Sequence, residues 1–369
     1  MNTHQIEFKA LWLTKGIDSI HNSGLSKHEY KGKKMKYNAF IGIDISKLTI
    51  DAAIRSRASK ELEHQQFENS PKGYARMLTW AKRLSRCSVT ELFFCVEHTG
   101  VYALPLACFL TGKGLDYRLE NPYHLKHSMG LQRGKNDRVD ALMIARYAYL
   151  HHEELRLTTL PPEALITLQN LLAHRERLVK TKRVYTVAPK ELASFTRKES
   201  HAFIGRESQL IVSTIERGIK AVEGQIESLI QEHADLDKNF RLARSVTGVG
   251  LVIAAYMLVY THNFTAITDP RCFASYSGIA PFGRSSGSSL AKAPRVSHLA
   301  NKRMKALLSN GARSAIRNDP EIRAYFQRKC DEGKPEMLVA NAVKNKLVGR
   351  IFATVKRGTP FVGLGKHFG

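Results

Sequence analysis

From residue 36 onward, short apolar runs alternate with stretches in which apolar residues return every three or four positions. The runs AFIGIDI (39–45) and LTIDAAI (48–54) predict two strands joined tightly enough for a hairpin, and HQQFENS (64–70) predicts a weaker third. GYARMLTWAKRL (73–84) has helical spacing. ELFFCVE (91–97) is an almost unbroken apolar run of the kind buried on both faces of a sheet, and LPLACFLTGKG (104–114) predicts a helix closed by glycine. LDYRLENP (115–122) predicts a further strand, and RGKNDRVDALMIARYA (133–148) opens a helix reaching Leu150. Hairpin strands followed by alternating helices and strands predict a mixed sheet covered by helices, an α/β domain over 36–152. Reacting groups in such sheets collect at strand carboxyl ends, where Asp44 and Glu97 both stand.

After TTLPPE (158–163) the spacing becomes purely helical. Leu165, Leu168, Leu172 and Leu178 form one stripe, and Ile211, Ile215, Ile219, Val222, Ile226 and Leu229 form a second with the steps of a coiled-coil seam. Pro189 and the polar TRKESHAFIG (196–205) separate them, which predicts a coiled-coil helical hairpin over 160–242, suited to hold a partner protomer or to space two domains. The third region, 243–360, is mainly helical. Its SVTGVGLVIAAYML (245–258) places Gly248 and Gly250 ahead of a helix. This is either a helix-hairpin-helix type of turn, whose amides face a phosphate, or simply a glycine turn before a buried helix. A glycine- and serine-rich segment (272–289) follows, then a basic helix carrying Lys302, Arg303 and Lys305, then a last basic and apolar helix.

Charge narrows the partner. The 369 residues carry 57 Lys and Arg against 33 Asp and Glu, a formal net charge of +24 spread along the whole chain. Nucleic acid is the acidic partner this distribution favours. A membrane is disfavoured, because the longest apolar run, GVGLVIAAYMLVY (248–260), is too short to span a bilayer. Nothing N-terminal has the pattern of a signal peptide. Residues 1–35 lack sustained periodicity and are expected to be an extension ahead of the fold. Cys87, Cys95, Cys108, Cys272 and Cys330 are odd in number and lack ligand spacing, so reduced, buried thiols in a cytoplasmic protein are expected.

Asp137 and Asp140, three apart, are neighbours on a helical face and repel each other. They stand among Arg133, Lys135 and Arg138. As local sequence they fit a helix start, Asp137 as cap and Asp140 as a dipole-friendly acid, or half of a metal site. With Asp44 and Glu97 they make four acids that a hard divalent ion would satisfy, whereas Asp51 and Asp116 have the placement of ordinary strand or turn acids. A serine in GRSSGSS (283–289) is either linker or a hydroxyl held by Arg284, Lys292 and Arg295 beside a phosphate.

GIDISK (42–47), VEHTGVY (96–102), ENPYHLKH (120–127) and KNDRVDA (135–141) resemble successive motifs of the DEDD transposases of bacterial insertion sequences, the family numbered one hundred and ten. GVGLVIA (248–254), FASYSGIAP (273–281) and SSG (285–287) resemble its C-terminal transposase domain, so the likeness runs in order from residue 36 onward. The resemblance implies an RNase H-like domain of the Holliday-junction-resolvase type, a coiled coil, and a C-terminal domain with a nucleophilic serine. It also implies a nucleoid-associated recombinase that is homo-oligomeric (dimer or tetramer), acts on donor and target DNA, and is directed by a noncoding bridge RNA. Carried over by motif, the acidic tetrad falls on Asp44, Glu97, Asp137 and Asp140 with Mg²⁺ as the ion, and the serine on Ser286, with Ser285 adjacent. Arg133, Lys135, Arg138, Gly248, Gly250, Arg284, Lys292, Arg295, Lys302, Arg303 and Lys305 become the expected nucleic-acid contacts. The chain departs from the family in its N-terminal extension and in SHLANKR (297–303), which stands where a Lys-Arg-Gly-Asn type of run is usual. Two rival functions remain: a metal-dependent nuclease or junction resolvase that uses the same four acids while water attacks in place of the serine, and a nucleic-acid-binding protein without catalysis, in which the acids are caps and turn residues.

Overall fold

The apolar run after Lys36 becomes the centre of a five-stranded mixed sheet. In the computed structural model, which describes residues 36–59, 61–128, 136–192, 194–280, 282–286, 290–295 and 300–363 (backbone alone for 190 and 282–295), β1 (Ala39–Ile45) is buried along nearly its whole length. It pairs antiparallel with β2 (Thr49–Ser56) and parallel with β4 (Leu92–Glu97). With β3 (Leu62–Glu68) and β5 (Tyr117–Glu120) the order is β3-β2-β1-β4-β5. The tight β1–β2 turn is closed by the Ser46 amide donating to Thr49 O at 2.9 Å. This is the mixed sheet expected, consistent with the RNase H-like type.

Strand alternation sends Ile41, Ile43, Phe94 and Val96 to one face, where α1 (Pro71–Ser85) and α2 (Leu104–Gly112) cover them. Helix α1 starts because Ser70 caps it through Gly73 N and Pro71 fits the first turn. Helix α2 ends in the glycine turn expected: Gly114 has φ +64°, and Leu115 N returns to Leu110 O. Phe40, Phe93 and Cys95 face the other way, onto α3 (Pro122–Ser128) and α4 (Asp137–His151) through Leu125, Ile144, Tyr147 and Ala148. Each large apolar side chain buried here contributes about 1.5–3 kcal/mol. Gly42 lets α4 lie directly on β1: a Cβ there would come 2.0 Å from Ala145 N and 2.5 Å from Ala141 O.

The chain divides between Leu160 and Pro161 into two compact units. In the second, α5 (Glu163–Leu192) and α6 (Lys198–Gln231) pack along each other, tied by Arg175–Glu223 at 2.7 Å. Two details correct the sequence expectation. Pro189 lies inside the last turn of α5, three residues before that helix ends, and KESHAFIG is already helix. Its carbonyl accepts from His201 Nε2 at 2.9 Å. Ile211 is 39 % exposed, and the packed stripe runs through Ser208, Val212, Ile226 and Ile230 instead. Counting back in sevens from Ile226 gives Val212, which leaves Ile211 one position off the seam.

Helices α7 (Ala234–Arg244), α8 (Leu251–Thr261), α9 (Pro270–Tyr276), α10 (Lys302–Asn318), α11 (Pro320–Asp331) and α12 (Glu336–Arg357) complete this unit, with β6 (Phe282–Ser286) and β7 (Leu290–Arg295) forming a hairpin. Among the described residues no helix is long and apolar enough to cross a membrane. The cysteine expectation also needs correction. Only Cys95 is buried; Cys108 is exposed on the outer side of α2, opposite Leu106, Ala107 and Leu110, and the other three are half-buried.

Candidate active site

The acids at the carboxyl edge of the sheet meet the first turn of α4. Asn136, not Asp137, caps that helix, its side chain accepting from Arg138 N at 3.0 Å. The capping role considered for Asp137 is therefore taken, and its carboxylate is exposed in the first turn beside half-buried Asp140. The contact of α4 with Gly42 aims that turn at the end of β1, where Asp44 is half-buried. Burial, then the charges of Asp140 and Asp137, push the Asp44 carboxyl up to about 6, against a backbone hydrogen bond from Ile45 that opposes the rise. Asp51, opposite Asp44 in the β1–β2 register, adds least. Its own carboxylate is engaged by His64 Nε2 at 2.7 Å and Gln66 Nε2 at 3.0 Å, the ordinary role expected of it. Asp116 likewise is engaged, by Lys36 and by Tyr37 Oη.

Glu97 ends β4 one residue past the Ile43–Val96 pair, so it neighbours Asp44 across two parallel strands. Opposite it on β5 is Glu120, a buried carboxylate that the sequence reading passed over. Burial pushes the Glu120 carboxyl up, but His124, Arg118 and the Asn121 amide outweigh it and hold the group below its ordinary value. The signal was present in ENPYHLKH: an acid followed by His four residues on forms this pair, Nδ1 to Oε1 at 3.0 Å. Burial also lowers His98, next to Glu97, so its ring is held neutral and its Nδ1 accepts from Gly100 N.

All four predicted acids thus come from one unit, and their oxygen donors are those that suit Mg²⁺. The mutual repulsion at Asp44 is what a dication there would relieve. Next to Glu97, the Thr99 hydroxyl is buried without a hydrogen-bond partner among the described residues. Among those residues no three His, Cys, Asp or Glu side chains already stand close enough together to hold an ion. Arg138 is exposed beside this edge, whereas Arg133 and Lys135 lie outside the described residues.

The remaining expected contacts lie in the second unit. In the β6–β7 hairpin Arg284 is opposite Lys292, Ser285 opposite Ala291, and Ser286 opposite Leu290 at the turn end; Arg295 pairs with Phe282 at the other end. Gly248 has φ +95°, and a Cβ there would sit 2.5 Å from Gly311 O, so packing against α10 alone demands glycine. Gly250 opens α8 with free space beside it. Lys302 is exposed and Lys305 half-buried. Arg303 is turned inward, 3.4 Å from Glu176 Oε2 in ion-pair range though not aligned for a hydrogen bond, with its guanidinium over the Tyr256 ring.

A model of the DEDD transposases matches residues 41–187, and a model of the transposase IS116/IS110/IS902 family matches residues 240–327. The chain belongs to the IS110 family of transposases. The first match spans Asp44, Glu97, Asp137 and Asp140, and the second spans Ser286. Over 328 residues, 87 % of this chain and 97 % of the relative, it is 24 % identical to the pilin gene-inverting protein of Moraxella bovis, and 23 % to that of Moraxella lacunata with the same coverage. It is 30 % identical over 142 residues, 38 % of this chain and 33 % of the relative, to an uncharacterized 43.6 kDa protein of insertion element IS110 from Streptomyces coelicolor. An IS110 transposase is an enzyme that acts on DNA.

Proposed function

We propose that the protein cuts and rejoins donor and target DNA through a phosphoserine intermediate, with Asp44, Glu97, Asp137 and Asp140 as its metal-binding acids. The observation that carries this reading is the convergence on Asp44. The end of a β-strand and the start of a helix place Asp140 and Asp137 where their charges act on a half-buried Asp44, at a cost with no evident structural return. Mg²⁺ bound there would supply positive charge to the phosphate oxygens. The Ser286 Oγ–P bond forms as one P–O bond to a sugar breaks, and the departing sugar hydroxyl takes the proton. Rejoining reverses both changes, so no bond energy is lost and no nucleotide cofactor is needed. The names of the pilin gene-inverting relatives fit such an exchange. A noncoding bridge RNA choosing the sites by base pairing agrees with the net charge of +24 and leaves little sequence reading to the protein. Pairing of protomers through the helical hairpin would complete the assembly.

The test is a reaction with DNA, Mg²⁺ and the element's RNA, stopped in denaturant. Protein-linked DNA is expected from the wild type and from Ser285→Ala, and none from Ser286→Ala or Asp44→Asn. An adduct persisting in Ser286→Ala overturns the serine assignment. Free ends alone would place the chemistry with water at the acids.

A further inference from the structure

The hairpin that bears Ser286 is held at both roots. On the entry side, Ile279 O accepts two side-chain amides from α12, Asn341 Nδ2 at 2.7 Å and Asn345 Nδ2 at 3.2 Å. On the exit side, Asn301 donates its backbone N–H to Tyr276 O at 2.8 Å and its side-chain amide to Tyr276 Oη at 2.9 Å. The same Asn301 caps α10 by accepting from Met304 N. Helices α10 and α12 are therefore the frame on which the hairpin stands.

Lys344 lies between the two asparagines on α12, half-buried. On α10, Lys305 is half-buried one turn past Asn301, and Arg313 is exposed about two turns further on. The two helices are in contact where a Cβ on Gly311 would come 3.5 Å from Leu347 Cδ1, one turn from Lys344. Burial, then Lys305, then Arg313 push the Lys344 ammonium below its ordinary value, so Lys344 feels both cations. Among the described residues none of the three has an acidic partner, although acids elsewhere in this unit are paired: Arg350 with Asp319, Arg175 with Glu223, Arg244 with Glu227. A half-buried lysine that faces two other cations and no acid favours an anion beside it.

We infer that Lys305, Arg313 and Lys344 form a clamp for the DNA phosphate backbone at the root of the serine hairpin. The inference rests on the recombinase reading for its choice of DNA. Ser286 is seven residues from Ile279, the last five of them the strand Phe282–Ser286, so up to roughly 23 Å of chain at ~3.3 Å per residue lies between them. The clamp therefore grips a phosphate flanking the cut and not the one being cut; it positions the strand while the chemistry proceeds at the turn end.

The full-length protein carrying Lys344→Gln is compared with wild type for binding to a generic labelled duplex DNA, without Mg²⁺, over a range of salt. Each phosphate contact contributes a slope of about 0.9 in log K against log salt. The slope is expected to fall by about 1, with affinity at 0.1 M salt down about eightfold by the same relation. Lys344→Arg should keep both, and the melting temperature of Lys344→Gln should be unchanged or higher, since a repulsion is removed. An unchanged slope, a Lys344→Arg protein as weak as Lys344→Gln, or a loss confined to single-stranded RNA overturns the inference. No cleavage enters the readout, so failure of the Ser286 assignment leaves this result standing, and failure of the clamp leaves that assignment standing.

Discussion

Replacing Asp44 by asparagine should stabilise the metal-free protein while abolishing its reaction. The ordinary value for such a carboxyl is 3.8, and in the fold burial, Asp140 and Asp137 raise it to about 6. The folded state thus binds this proton more tightly than the unfolded one, so the contribution of Asp44 to stability is greatest in acid. The penalty is absent below about pH 4, grows through the interval, and is fully present above about pH 6. A rise from 3.8 to about 6 corresponds to roughly 3 kcal/mol, which solvent screening of a half-buried group reduces to about 1–2 kcal/mol. Asp44→Asn removes the charge and keeps the shape, so at neutral pH without divalent ions it should melt a few degrees higher, at about 2–4 °C per kcal/mol. At pH 4 the two proteins should melt together. Mg²⁺ at a hundredfold excess over its dissociation constant should stabilise the wild type by about 2.7 kcal/mol, and Asp44→Asn far less. Scanning fluorimetry at two pH values, with and without Mg²⁺, reads all of this. An Asp44→Asn protein that melts lower at neutral pH, or equal stabilisation of both proteins by Mg²⁺, refutes the view of Asp44 as a destabilised ligand.

Gly42→Ala puts a methyl group 2.0 Å from Ala145 N, so α4 must move; denaturant unfolding should show a loss of about 3 kcal/mol or more, and the adduct assay a loss of activity. Asn301→Ala removes the α10 cap and the bond to Tyr276 Oη together and should cost about 2 kcal/mol, measured the same way.

What was legible in the sequence followed from period. The buried run AFIGIDI and the apolar ELFFCVE became adjacent parallel strands because residues buried on both faces can only sit centrally in the sheet. Where packing was one-sided, the reading slipped. In the outer half of the hairpin few contacts choose between Ile211 and Val212, and the polar KESHAFIG could extend a helix that nothing stopped. Glu120 was missed for a different reason. An acid in a strand looks the same whether it is a ligand or is neutralised by a histidine four residues on, and only the β4–β5 register shows it beside Glu97. Nor did spacing along one helix suggest Lys344, whose companions lie on another helix.

The pairing of Glu120 bears on how the acidic edge works. Asp44 and Glu97 each face another acid across a strand pair, Asp51 and Glu120 respectively. Had both neighbours been left unpaired, six carboxylates would crowd one edge, and the electrostatic cost would compete with folding itself. His64 and Gln66 engage the first, and Arg118, His124 and the Asn121 amide engage the second, so their charges are already answered within the protein. The repulsion that remains is at Asp44, which feels Asp140 and Asp137 where β1 ends and α4 begins. The second unit presents the opposite case in Lys305, Arg313 and Lys344, cations without an acid among the described residues, on the helices where the serine hairpin is rooted. In both units the neighbouring charges are paired among the described residues, while Asp44 in the first and Lys344 in the second are each left facing like charge, which a metal or a phosphate would answer.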